Sequence, residues 1–145
     1  MLPARNGYTL YQAHVARHPK KILVADDDAD MRRLLATRLR GDGYQIIECS
    51  DGEGVLEYLA GSMMRPREHD APDIVVCDIR MPGVSGLELL AVLRQFGARV
   101  PVILMSAFDD EITRGEAKRL GARALFHKPF DLDDLGTLIL NLAVA

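Results

Sequence analysis

The chain has 145 residues, with 18 Lys and Arg against 21 Asp and Glu, and a formal net charge of −3. That length suits one domain and is short for two, and its 48% apolar and 27% charged residues are ordinary for a globular protein. No apolar run reaches the roughly 18–20 residues of a membrane-spanning helix, no basic patch leads into an apolar run as in a secretory signal, two cysteines are too few for a disulfide framework, and the weak acidity argues against non-specific nucleic-acid binding.

The charge is unevenly spread. Residues 1–21 carry Arg5, Arg17, Lys20 and Lys21 and no acid, so residues 22–145 hold 14 basic and 21 acidic residues, a net −7. The shift sets a boundary near Pro19. Residues 1–19 read as a basic extension, either a disordered tail or a short helix with Tyr8, Tyr11 and Val15 on one side. A docking arm or membrane-surface contact is the sharper reading of those charges, and a solvated tail the plainer one.

From residue 20 onward, short apolar runs alternate with helical spacing. Ile22–Ala25, a weaker run over Tyr44–Ile47, then Ile74–Cys77, Val102–Met105 and Ala124–Phe126 fit strands buried on both faces. Between them, Met31, Leu34, Leu35 and Leu39 fall at helical spacing. So do Leu87, Leu90, Ala91 and Phe96, and later Leu132, Leu135, Leu138, Ile139 and Leu142. Asp51, Ser85 and Asp131 stand where N-caps belong. Gly41, Gly43, Gly61, Gly97 and Gly121 stand where helices stop. Residues 63–72, polar and proline-marked, read as a surface loop. Cys49 and Cys77 each sit in an apolar stretch and read as reduced, partly buried thiols. Strand–helix order repeated five times predicts an α/β fold, a five-stranded parallel sheet flanked by five helices.

Polar residues follow the strands with a pattern of their own. The first run ends in Asp26, Asp27 and Asp28, the third in Asp78, the fourth in Ser106, and the fifth leads to Lys128 and Pro129. In an open parallel sheet these strand ends share one edge, where ligands bind. Asp26, Asp27 and Asp78 would then crowd three negative charges, a repulsion that a hard divalent cation such as Mg2+ relieves. A metal, a lysine and a hydroxyl around a carboxylate are the parts that bind a phosphoryl group, and a carboxylate can itself be the nucleophile. Taken singly, such an Asp is most often an N-cap, such a Ser a turn residue, and such a Lys-Pro a solvated loop. The conjunction at four strand ends carries the inference.

The stretches ILVADDDADMRRLL (22–35), DIVVCDIRMPGVSGLELL (73–90), PVILMSAFDD (101–110) and GARALFHKPFDLDDL (121–135) resemble the receiver domain of bacterial two-component response regulators. The resemblance covers about residues 20–142 and implies a flavodoxin-like fold with strand order 2-1-3-4-5. It implies that Asp78 is the phosphoacceptor, Asp27 a direct Mg2+ ligand, and Asp26 a ligand mainly through water. The backbone carbonyl of Arg80 would complete the protein's share of the metal shell. Ser106 would hydrogen-bond the phosphoryl group, and Lys128 would pair with its oxygens from a cis Lys128–Pro129 bond. Pro82 and Gly83 would shape the loop after Asp78, and Gly86 its junction with the third helix. The implied donor is a histidine kinase or histidine phosphotransfer protein. The implied output is a downstream protein, reached through the face of the fourth helix, fifth strand and fifth helix, with a homodimer through the fourth and fifth helices as one further assembly. No direct nucleic-acid contact or membrane span is implied, the location is cytoplasmic, and self-phosphorylation is not turnover. The chain ends just after the last predicted helix, so the reading expects no output domain here: a stand-alone receiver or the receiver portion of a longer chain.

Two positions depart from the family's pattern. Leu125 stands where the family usually has Tyr or Phe, and leucine cannot make an aromatic rotamer switch. Arg80 and Phe108, each two residues beyond a site residue, are bulky enough to shield an acyl phosphate from water. Two other functions compete. One is a degenerate receiver acting as a phosphorylation-independent binding module, with Leu125 its only support. The other is a phosphatase of the haloacid dehalogenase kind, for which Asp26 and Asp28 give a D-x-D spacing, but Asp30 replaces the expected Thr or Val.

Overall fold

The computed structural model describes residues 19–65 and 71–144, so most of the basic extension (residues 1–18) lies outside the described residues. Among the described residues five strands and five helices alternate: β1 (Lys21–Ala25), α1 (Ala29–Gly41), β2 (Gln45–Cys49), α2 (Gly52–Met64), β3 (Ile74–Asp78), α3 (Gly86–Gln95), β4 (Val102–Ser106), α4 (Glu111–Arg119), β5 (Ala124–His127) and α5 (Leu132–Val144). The strands form one parallel sheet in the order β2-β1-β3-β4-β5. The three central strands lack alternation because both their faces are covered: every residue of β3 and β4 is buried, and only Lys21 of β1 is not.

Alternate residues of those strands feed two apolar layers. Leu23, Ala25, Val75, Cys77, Val102 and Leu104 meet Val55 and Leu59 of α2, Leu89, Leu90 and Leu93 of α3, and Ala117 of α4. Ile22, Val24, Ile74, Val76, Ile103 and Met105 meet Leu35 and Leu39 of α1 and Leu135 and Ile139 of α5. Leu125 joins the first layer and Phe126 the second, as residues of opposite parity on a strand must. Phe126 stacks at a tilt on Phe130, with centroids 5.1 Å apart.

Several expectations need correction. Leu34 is 52% exposed, because the core face of α1 is centred on Leu35, Ala36 and Leu39. Phe96 caps α3 at its C-terminus and is 73% exposed; Leu89 and Leu93 hold the core positions instead. Gly61 does not stop α2, which runs on to Met64, so Met63 and Met64 belong to that helix and not to a loop. Gly41 is the last residue of α1, and the turn is made by Gly43 at φ 100°.

Helix starts follow side-chain chemistry. Asp51 accepts from the amide of Gly54 at 2.7 Å and Asp131 from that of Asp133 at 2.8 Å. Ser85 and Glu88 form a reciprocal capping box at α3, both bonds 3.1 Å. Ser85→Ala is expected to destabilise the protein by about 1 kcal/mol in urea unfolding; an unchanged midpoint would show the box to be idle.

Candidate functional site

Parallel strands deliver their carboxyl ends to one sheet edge, and the polar residues singled out in the sequence collect there. Val24 and Ala25 bring β1 to Asp26, whose side chain is fully buried, while the next residue, Asp27, is exposed. Asp78 is the last residue of β3 and Ser106 the last of β4, 6% and 3% exposed. Lys128 follows β5, and its amide donates to the Ser106 carbonyl at 2.7 Å, which ties the two strand ends together. The Lys128–Pro129 bond is cis.

Lys128 Nζ lies 2.9 Å from Asp26 Oδ2 and 3.3 Å from Asp78 Oδ2. One ammonium thus bridges two buried carboxylates from different strands. Burial and the neighbouring Asp26 charge push the Asp78 carboxyl up to about 6, against the opposing pull of Lys128. Burial would lower the Lys128 ammonium, but its hydrogen bond to Asp26 and the charges of Asp78 and Asp26 outweigh that and hold it above the ordinary lysine range. Both shifts reflect the same buried arrangement, in which the carboxylates of Asp26 and Asp78 meet a single cation.

Carboxylate oxygens of Asp26, Asp27 and Asp78 lie within 4.8 Å of one another. All three donors are hard oxygens and one is open to solvent, a set suited to a small hard divalent cation. Asp26 already spends Oδ2 on Lys128 and Oδ1 on the amide of Asp28 at 3.0 Å, which leaves it less free than Asp27. Asp28 faces away from this chemistry. Its Oδ1 caps α1, accepting from the amides of Asp30 and Met31 at 3.0 and 3.3 Å, so the D-x-D spacing does not supply a second working carboxylate.

Ser106 Oγ is held in the loop beyond β4, donating to the Phe108 carbonyl at 2.9 Å and accepting from the Phe108 amide at 3.0 Å. The Arg80 guanidinium sits over the Phe108 ring, 4.0 Å from its centroid. These two residues, two beyond Asp78 and two beyond Ser106, therefore join the loops that follow β3 and β4.

Further residues support the site; Gly86 was expected at the junction with α3, whereas Arg32 was not singled out in the sequence. Arg32 donates from Nη1 to the Asp26 carbonyl at 2.7 Å and stands 3.5 Å from Glu48. Gly86 packs so tightly under β3 that a Cβ there would lie 2.5 Å from the Asp78 carbonyl oxygen. Cys77 is fully buried, its Sγ 3.2 Å from the Asp78 carbonyl oxygen, and burial pushes its thiol far up. Cys49 is half-buried and its thiol is pushed up to about 11, chiefly by burial. Neither is a poised nucleophile.

Among the described residues, no helix is long and apolar enough to cross a membrane. A family model described as the response regulator receiver domain matches residues 22–140. The regulatory protein AtoC of Escherichia coli (strain K12) is 36% identical over 119 residues, 82% of this chain and 24% of that protein. Sporulation initiation phosphotransferase F of Bacillus subtilis (strain 168) is 32% identical over 116 residues, 80% of this chain and 87% of that protein. The solved receiver domain of Francisella response regulator 1452 matches at a TM-score of 0.75 and 29% identity, over 86% of this chain and 96% of that one. The chain thus spans about a quarter of AtoC and most of the sporulation protein.

Proposed function

Because this chain belongs to the response regulator receiver family, whose model covers residues 22–140, we propose that Asp78 is its phosphoacceptor. In the same reading Asp26, Asp27, Asp78 and the Arg80 carbonyl hold Mg2+, and Lys128 and Ser106 hold the phosphoryl oxygens. The family's role is that of a phosphoacceptor in two-component signalling. The observation that supports these assignments is the Lys128 ammonium lodged between Asp26 and Asp78.

The chemistry follows from the side chains. Asp78, as the carboxylate, attacks the phosphorus of a phosphohistidine; the Oδ–P bond forms as the N–P bond breaks, and the imidazole leaves with the electron pair. Lys128 is already within ion-pair distance of Asp78, so it meets the incoming oxygens without repositioning. Mg2+, when bound, supplies positive charge that offsets the crowded carboxylates and the phosphoryl oxygens. Ser106 Oγ must release Phe108 to reach the phosphoryl group, and the loop from β4 to α4 then loses two hydrogen bonds.

The donor is a histidine kinase or histidine phosphotransfer protein, met in the cytoplasm. The altered surface is the face of α4, β5 and α5, offered to a downstream protein or to a second copy. Leucine at 125 rules out an aromatic rotamer switch on that face. The full set of acceptor-site residues favours this reading over a phosphorylation-independent module, and Asp78 on β3 favours it over a dehalogenase-type phosphatase. Acetyl phosphate with Mg2+ is expected to add one phosphoryl group per chain by intact mass, a label that then decays slowly. A chain that takes none, or that turns over a generic phosphatase substrate, overturns the reading.

The Arg80–Phe108 pair bears on how long the label lasts. The two side chains stack on each other across the loops beyond Asp78 and Ser106, and in this reading their bulk limits the approach of water to Asp78. Arg80→Asn combined with Phe108→Glu is expected to shorten the acyl phosphate lifetime severalfold. A native lifetime no longer than the variant's would remove the shielding role.

A further inference from the structure

The opposite edge of the sheet carries a second charged feature that the acceptor chemistry does not use. Helices run back from the acceptor edge, so the C-termini of α3 and α4 and the starts of β4 and β5 share this foot of the molecule. A cavity of about 280 Å3 opens there, lined by Arg94, Arg99, Pro101, Gly121 and Arg123. Three of its five lining residues are arginines, and none is acidic.

The cavity is built around Arg94. Its Nη1 donates to the carbonyls of Ala98 at 2.8 Å and Val100 at 3.2 Å, and its Nη2 to that of Gly121 at 3.2 Å. One guanidinium therefore staples the turn after α3 to the turn after α4. Both turns are made by glycines at positive φ, Gly97 at 76° and Gly121 at 83°. Those three bonds leave part of Arg94's five-donor fork unspent, and burial lowers its pKa. Arg99 and Arg123 are exposed, and neither has an ion-pair or hydrogen-bond partner for its guanidinium among the described residues. Among the described residues, several other arginines are paired with acids: Arg38 with Asp42 and Asp133, Arg40 with Glu48, Arg114 with Asp109 and Arg119 with Glu116. Residues 22–145 sum to −7, yet three guanidinium groups without a carboxylate partner share this one cavity.

We propose that this cavity is an oxyanion site that takes a phosphate group, separate from the acceptor site and working without Mg2+. Planar guanidinium forks match tetrahedral oxyanions in pairs of parallel hydrogen bonds. Three positive charges suit a dianion better than a single carboxylate. The phosphate could belong to a soluble compound or to a lipid headgroup, since both present the same oxygens.

The test is a titration of the full chain with inorganic phosphate in EDTA, followed by amide NMR, with chloride at matched ionic strength as reference. Saturable shifts at Ala98, Gly121 and Arg123 that chloride does not reproduce are the expected result. Arg99→Ala combined with Arg123→Ala is expected to weaken phosphate binding at least tenfold, leaving the labelling of Asp78 by acetyl phosphate with Mg2+ unchanged. Shifts that chloride reproduces, or that survive in the double variant, overturn the site. Sedimentation with vesicles of phosphatidylcholine, with and without phosphatidylglycerol, then assigns the source. Binding to the anionic vesicles that the double variant loses points to a headgroup; no vesicle binding alongside saturable phosphate binding points to a soluble phosphate compound. Because Asp78 labelling is read separately, failure here leaves the phosphoacceptor reading standing, and the reverse holds too.

Discussion

Replacing Asp78 with asparagine is expected to abolish phosphoryl labelling while making the metal-free protein more stable near neutral pH. The first effect follows from removing the attacking oxygen: an amide is neither a nucleophile toward phosphorus nor a strong Mg2+ ligand. The second follows from the cost of the native charge. Asp78 is buried against Asp26, so its folded pKa of about 6 lies above its ordinary value of 3.8. The folded protein therefore binds this proton more tightly than the unfolded chain does. That contribution is fully present below about pH 4 and is lost as pH rises through about 6. Two pKa units correspond to roughly 3 kcal/mol. Asparagine keeps the shape and sheds the charge but also loses the Lys128 ion pair, so about 1–2 kcal/mol is the expected gain at pH 7. The measurement is urea unfolding of both proteins in EDTA between pH 4 and 7.5. The difference between them should grow with pH across that window. A variant less stable than the native protein at pH 7 would mean that the Lys128 bridge outweighs the carboxylate repulsion.

Gly86→Ala is expected to cost about 3 kcal/mol or more, a large loss for the addition of one methyl group. An added Cβ would lie 2.5 Å from the Asp78 carbonyl oxygen, 3.0 Å from Ile79 Cα and 3.1 Å from the Asp78 carbonyl carbon. All are backbone atoms of the acceptor strand and its exit, so none can rotate aside. The Gly86 amide also donates to the Ile79 carbonyl at 2.8 Å, which pins the start of α3 to that same strand end. A shift large enough to admit the methyl must move the acceptor, so labelling should slow along with the loss of stability. Gly115→Ala is the control. Gly115 is exposed inside α4 with nothing within 4 Å of an added Cβ, so alanine should stabilise by about 0.5–1 kcal/mol. If both alanines cost the same, the close approach under Gly86 is not what constrains that position.

How much could be read from the chain itself varied from element to element. The five strands were legible because β1, β3 and β4 are apolar without interruption, a pattern that only a doubly covered strand tolerates. β2 was read one residue early at its start and two short at its end, since Glu48 breaks its run and the strand lies at the sheet's edge. Helical spacing marked α1, α3 and α5, but it misassigned Leu34 and Phe96 to buried faces. An apolar residue at the margin of a helical stripe carries no local sign of which way the helix is turned. The candidate site residues were legible because each stands at or just beyond the end of a strand, and parallel strands end on one edge. Arg32 and Arg94 were not, because their partners are backbone carbonyls, which leave no side-chain pattern to find.

By itself, the sequence determined the alternation of strands and helices, the edge at which Asp26, Asp27, Asp78, Ser106 and Lys128 meet, and hence the class of chemistry at that edge. These are consequences of periodicity and chain direction, which are local properties. Only the tertiary structure decided that Lys128 bridges Asp26 and Asp78, that Ser106 is held by Phe108, and that Arg80 stacks on the same ring. Only it brought three arginines around one cavity at the far edge. Distances and charge environments depend on how separate strands and turns pack, and packing couples residues, such as Lys128 and Asp26, that sit 102 positions apart in the chain.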